Sequence, residues 1–170
     1  IAVDAAGNES NPQSLELKIS EVLPTEAILA IVEDTGVAAD GLTNKGEISV
    51  SNIKLGAKWE YSLDNGSTWT LGAQSSNVES DSFIISNDGS YQVVVRQTNS
   101  AGDSVTAVAL NVIIDKVAPI AQQSTLDFDS NQITLVFNET LNNSFAPEAS
   151  DFAITRNNES FSIQTIEVDG

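Results

Sequence analysis

Glu33, Asp34, Asp40, Asp64, Asp88 and Asp115 are the side chains whose types and spacing could do chemistry in this chain. Each lies beside a turn-forming stretch or at the end of an apolar run, so a fold of short strands would collect them at one pole. Lys45 and Lys116 are the basic residues that fall among them. Like charges at that density repel unless a cation neutralises them. The chain has 24 acidic against 7 basic residues, a net charge of −17, and neither histidine nor cysteine. Without histidine or cysteine the usual zinc and copper ligands are missing, and so are the Ser-His-Asp and Cys-His nucleophile sets. What remains is oxygen chemistry. Calcium fits it, because calcium takes six to eight oxygens from carboxylates and carbonyls in a loose geometry. The expected site draws on Glu33, Asp34 and Asp40 in one loop, with Asp115 at the end of a strand. The competing reading is structural: aspartate favours turns, and surplus acid keeps a protein soluble.

A second oxygen-rich candidate lies in a turn that occurs twice, at 4–8 (Asp-Ala-Ala-Gly-Asn) and at 99–103 (Asn-Ser-Ala-Gly-Asp). Asn99 and Asp103, with Glu21, could hold a second calcium. The alternative is that Gly7 and Gly102 with their neighbours simply make tight turns. Ser62-x-Asp64-x-Gly66-x-x-Trp69 matches the Asp-box pattern of sialidases and other β-propellers. A propeller would show it blade by blade and a sialidase would need an arginine cluster, whereas here it occurs once and Arg96 and Arg156 are the arginines. The expected role is therefore structural, with Ser62 and Asp64 bonding the turn backbone. Paired carboxylates could hydrolyse glycosides, but any acidic chain supplies such pairs. The expectation is that the chain is not an enzyme.

These residues need a scaffold, and the sequence describes one. Short β-branched and aromatic runs separated by Gly, Asn and Asp clusters, with no helical period, predict an all-β fold of tandem immunoglobulin-like β-sandwich repeats. Strands are expected at 27–32, 47–53, 58–63, 67–71, 82–86, 91–98 and 104–114, then at 132–137 and 152–155. Trp59 and Tyr61 alternate with polar neighbours, which places both on the core face. Asp88-Gly-Ser-Tyr91 has the form of a tyrosine corner.

The chain also repeats at an offset of 95 residues: Ala6-Gly-Asn8 returns as Ala101-Gly-Asp103, Leu15, Leu17 and Ile19 as Leu110, Val112 and Ile114, and Val22-x-Pro24 as Val117-x-Pro119. A fixed period marks a tandem array. The expected division is a tail of one repeat at 1–24, with a strand-pairing hairpin. A complete repeat follows at 25–119, and the first part of a different β-repeat at 120–170. The absence of Met from the chain makes it read as an excerpt, so a missing export signal carries no information. Nucleic acid is not an expected partner of so acidic a chain, and membrane insertion is not expected without an apolar run of roughly 20 residues.

Tyr61-Ser-Leu-Asp-Asn-Gly-Ser-Thr-Trp69, Val95-Arg-Gln-Thr-Asn-Ser-Ala-Gly102 and Ile114-Asp-Lys-Val-Ala-Pro119 resemble the bacterial immunoglobulin-like repeats of giant repeats-in-toxin surface adhesins. Leu135-Val-Phe-Asn-Glu-Thr-Leu141 looks like a different surface-protein repeat. The resemblance implies a secreted, cell-surface rod stiffened by calcium, which supports attachment and biofilm growth. Its partners would be neighbouring repeats of the same polypeptide, with a host glycan or protein met by other modules. It also implies Asp115 as the linker ligand and Asp34 and Asp40 as loop ligands. The first linker departs from the pattern, with Ser20 where the second has Asp115. A sugar- or peptide-binding module near an adhesin tip is the alternative reading, with Trp69 as a stacking surface.

Overall fold

The computed structural model describes residues 1–12, 14, 23–73 and 79–168. It divides into two compact units, Ile1–Asp115 and Lys116–Gly170. Among the described residues the regular structure is strand, apart from two short 3-10 turns at Asn143–Phe145 and Ala149–Asp151.

Among its described residues the first unit holds nine strands: β1 (Ile28–Ile31), β2 (Leu42–Thr43), β3 (Glu47–Ser51), β4 (Lys58–Ser62), β5 (Thr70–Leu71), β6 (Ser80–Ile84), β7 (Gly89–Thr98), β8 (Ser104–Thr106) and β9 (Leu110–Ile114). One antiparallel sheet runs β1-β3-β6. The other runs β2-β9-β7-β4-β5, with β8 also on β7, and is antiparallel except where β2 joins β9 in parallel. Alternation decides which residues go inside. Ile48 and Val50 of β3 are buried while Glu47 is exposed, and Val112 and Ile114 of β9 are buried while Asn111 and Ile113 are exposed. The two sheets share one interior, because Val50 packs with Trp59 and Val95, and Ile48 with Val93, Val112 and Ile114.

Trp59 is buried as its alternation requires, and its indole N–H donates to the carbonyl of Ala73 at 3.1 Å, so no polar atom of the ring is stranded. Tyr61 stacks on Phe83 with ring centroids 4.0 Å apart. The Tyr91 hydroxyl donates back to the carbonyl of Asn87 at 3.0 Å, the bond a tyrosine corner makes. A buried amide ties these layers together. The side chain of Gln97 donates to the carbonyls of Thr25 and Asn52 and accepts from the backbone of Lys54, so both amide protons and the carbonyl oxygen are bonded inside the core.

In the first unit the strand expected at 82–86 lies two residues earlier, at Ser80–Ile84, and three further elements differ from expectation. The single strand expected at 104–114 is split into β8 and β9. Arg96 pairs with Thr106 and Val93 with Leu110, so three steps on β7 face four on its neighbour. The extra residue makes a bulge, and Val108 is turned out to solvent at 80% exposure. The strand expected at 67–71 is cut to Thr70–Leu71, because Asp64 captures both the backbone N–H and the hydroxyl of Thr68. The stretch between the strands expected at 27–32 and 47–53, which carries Glu33, Asp34 and Asp40, contains β2, too short to show any period.

The hairpin expected at 1–24 is described only in part. Residues 1–12 form a turn with a bridge between Val3 and Glu9, while Leu15, Leu17, Ile19, Ser20, Glu21 and Val22 lie outside the described residues.

Among its described residues the second unit contains two hairpins, β10 (Ala121–Asp127) with β11 (Gln132–Phe137), and β12 (Ile154–Arg156) with β13 (Glu159–Phe161). Asn131, Asn157 and Asn158 supply the positive φ that their turns need. β11 was expected, and β12 starts two residues and ends one residue later than the strand expected at 152–155; β10 and β13 were not foreseen. No described residue of this unit is buried.

Candidate cation site

Thr43 organises the acidic pole of the first unit. Its hydroxyl donates to the carbonyl of Glu33 at 2.7 Å, accepts the N–H of Lys45 at 3.0 Å and lies 3.2 Å from the hydroxyl of Thr35. The Thr35 hydroxyl in turn accepts the N–H of Asn44. Thr43 is buried, so these bonds form away from competing water. On its other side Thr43 accepts the backbone N–H of Asp115 at 3.0 Å, and Gly41 accepts that of Ile113 at 2.8 Å. The Glu33–Asn44 loop is thereby sewn to the end of β9. Gly41 has to be glycine here: its φ is +77°, and a Cβ would sit 3.3 Å from the Asn111 carbonyl.

Within this frame the structure brings Glu33, Asp34, Asp40 and Asp115 to one end. Asp88 joins them by register, since Gly89 pairs with Ile114. Asp40 uses Oδ1 to accept the N–H of Leu42 at 2.8 Å, an ordinary Asx turn. Asp34 is held differently. Its Oδ2 accepts the N–H of Ala39 at 2.8 Å, fixing Ala39 at a φ of 66°, which costs a residue with a Cβ. Its Oδ1 is shielded from solvent and has no hydrogen-bond partner. A shielded, unsatisfied carboxylate oxygen is costly in any protein and is the kind of donor a hard cation takes up. Among the described residues, however, no three acidic side chains converge closely enough to hold a metal ion by themselves.

Asp64 stands apart from this pole, beside Gln92. Its Oδ1 accepts from the Ser62 hydroxyl at 2.7 Å and from Thr68 N at 2.8 Å, and its Oδ2 accepts from the Thr68 hydroxyl at 2.7 Å. Those bonds, the Ser62 hydroxyl first, draw its carboxyl down from 3.8 to about 2. The Asp-box residues thus hold the turn together, as the structural reading expected. Trp69 closes over the same hairpin, with the Arg96 guanidinium 4.2 Å from the centre of its ring. Arg96 also makes two bonds to Glu60, at 2.7 and 3.2 Å, and this contact chiefly holds the Glu60 carboxyl below its usual range.

The second candidate forms two turns of matching geometry. Asp4 N–H donates to the Asn8 carbonyl and Asn99 N–H to the Asp103 carbonyl, both at 3.0 Å. Asp4 Oδ1 accepts the N–H groups of Ala6 and Asn8, and Asn99 Oδ1 accepts those of Ala101 and Asp103. In the first turn the amide of Asn8 donates to Asp4 Oδ2, and in the second the amide of Asn99 donates to Asp103 Oδ2, each at 3.0 Å. Acid and amide have exchanged positions and every bond survives. Gly7 and Gly102 carry the positive φ, 86° and 97°. Asn99 and Asp103 therefore bond each other within the turn. Glu21, their expected companion, lies outside the described residues.

Thr43, Gln97 and the Arg96–Trp69 stack were missed from sequence. Thr43 sits in a two-residue strand with no readable period, and the others depend on partners about 27 to 72 positions away. No helix among the described residues is long and apolar enough to cross a membrane. No protein-family model matches the chain, and no curated protein matches it.

Proposed function

We propose that this chain is a calcium-stabilised spacing module of a large secreted bacterial adhesin, built from tandem immunoglobulin-like β-sandwich repeats and without catalytic activity. The observation that carries the reading is the pair of matching turns at 4–8 and 99–103, which repeats in three dimensions the 95-residue period of the sequence. Repeated units of one design act by adding length, each meeting its neighbours in the same polypeptide. The Trp59 core and the Tyr91 corner support the immunoglobulin-like reading of the middle repeat.

Calcium supplies charge neutralisation and cross-linking when bound. What supports calcium at the acidic pole is the chemistry of the donors rather than a closed set of carboxylates. Asp34 offers the unsatisfied Oδ1, with Glu33, Asp40 and Asp115 as the further carboxylates at that pole and main-chain carbonyls making up the number. The bonds that sew Glu33–Asn44 to β9 would make a cation there a brace for the end of the repeat. A ligand-binding role for Trp69 has less support, since one face of its ring lies under Arg96.

The reading is tested by calcium titration calorimetry on the wild-type chain and on Asp34→Ala. We expect binding with a Kd of roughly 0.1 mM, the order found for extracellular modules, and its loss in the variant. Absence of binding heat in the wild type at millimolar calcium would remove calcium from the proposal.

A further inference from the structure

Asn65-Gly66 is the one Asn-Gly pair in the chain, and it occupies the two central positions of the Asp64–Ser67 turn. Both residues have positive φ, 54° and 88°, as a type I′ turn requires. An Asn-Gly pair carries a chemical hazard. The glycine nitrogen, with no side chain in the way, attacks the asparagine side-chain carbonyl carbon. The new N–C bond closes a five-membered succinimide, the glycine N–H proton is lost, and ammonia leaves. Water then opens the ring to aspartate or isoaspartate. An exposed Asn65 on a surface turn should be open to this.

The turn opposes it. The Gly66 N–H, the proton that must be lost, is donated to the Ser62 hydroxyl oxygen at 2.7 Å. The Ser62 hydroxyl is buried and oriented by its own donation to Asp64 Oδ1 at 2.7 Å. The backbone N–H of Asn65 is also held, by the carbonyl of Gln92 at 2.9 Å. Nitrogen attack requires the Ser62 bond to break and the φ/ψ of the turn to change.

We propose that Asn65-Gly66 is a latent deamidation site held shut by Ser62, so that reaction there records the opening of this hairpin. Once formed, isoaspartate carries an extra backbone methylene that a two-residue turn does not fit. Aspartate adds one more charge to an already acidic chain. An opened hairpin is thereby marked irreversibly.

The test is peptide mapping by mass spectrometry of the full chain incubated at mildly alkaline pH, folded and in urea. Residue 65 should deamidate about tenfold or more slowly in the folded chain, because reaction waits on local opening. Ser62→Ala, with its fold checked by near-ultraviolet circular dichroism, should recover much of the unfolded rate. Equal rates for the wild type in buffer and in urea would overturn the proposal, a result that needs no variant to fold. A folded Ser62→Ala variant that reacts as slowly as the wild type would overturn the role of Ser62.

Discussion

Asp34 and Asp64 sit in loops of similar composition, yet their carboxylates are held in different ways. Asp64 has three hydrogen bonds to its two oxygens, whereas Asp34 leaves one oxygen shielded and unsatisfied. The difference should appear in acid. The Asp64 carboxyl is lowered in the folded chain to about 2 from 3.8, so its contribution to stability is complete above about pH 3.8 and is lost as the pH falls towards 2. Asp64→Asn should lower Tm at neutral pH, and the gap to the wild type should narrow across that window. A gap that stays constant down to pH 2 would mean that the carboxylate does not stabilise the turn. Arg96 is tested at the same scale. Arg96→Lys retains the charge but loses the fork to Glu60 and the flat stack on Trp69, so it should still destabilise the fold measurably, by about 1 kcal/mol or less at this partly exposed site. Denaturant unfolding would show it as a lower midpoint at unchanged slope.

Strand β4 and its hairpin illustrate how a single side chain constrains an element. Trp59 lies directly against Gly72, and a Cβ added at that glycine would run into the indole ring. Gly72→Ala should therefore cost about 1–3 kcal/mol through overpacking of a buried aromatic. Val108→Thr, on the outward bulge between β8 and β9, should shift stability by no more than about 0.5 kcal/mol. Comparing the two by thermal melting separates core from bulge. The alternation of Trp59 and Tyr61, the apolar runs of β3, β7 and β9, and the Asp64-Asn65-Gly66 turn were legible because they are local. The bulge at 107–109 was not, because Val105, Thr106, Val108, Val112, Ile113 and Ile114 spread strand-forming side chains along Ser104–Ile114, and only the register against β7 shows one residue too many. β2 was hidden for a related reason: two residues have no period, and their pairing is set by β9, about 71 positions away. At the acidic pole the residue types were legible and the wiring was not. Asp34, Asp40 and Asp115 stood out by charge, whereas Thr43, which holds their loop in place, looks like any threonine.

At the scale of the whole molecule, the chain concentrates negative charge on a fold with no disulfide and no histidine, a combination that leaves stability to the core and to any bound cation. In the proposed function calcium braces the first unit through the pole containing Asp34. If extracellular calcium at about 1 mM exceeds a Kd of roughly 0.1 mM, one site adds about 1.4 kcal/mol. For a unit of this size that should raise Tm by several degrees. The direct measurement is thermal melting of the wild type and of Asp34→Asn, each in calcium and in chelator. A higher Tm in calcium is expected for the wild type, with little or no difference for Asp34→Asn. Superimposable wild-type curves in the two conditions would contradict the calcium brace.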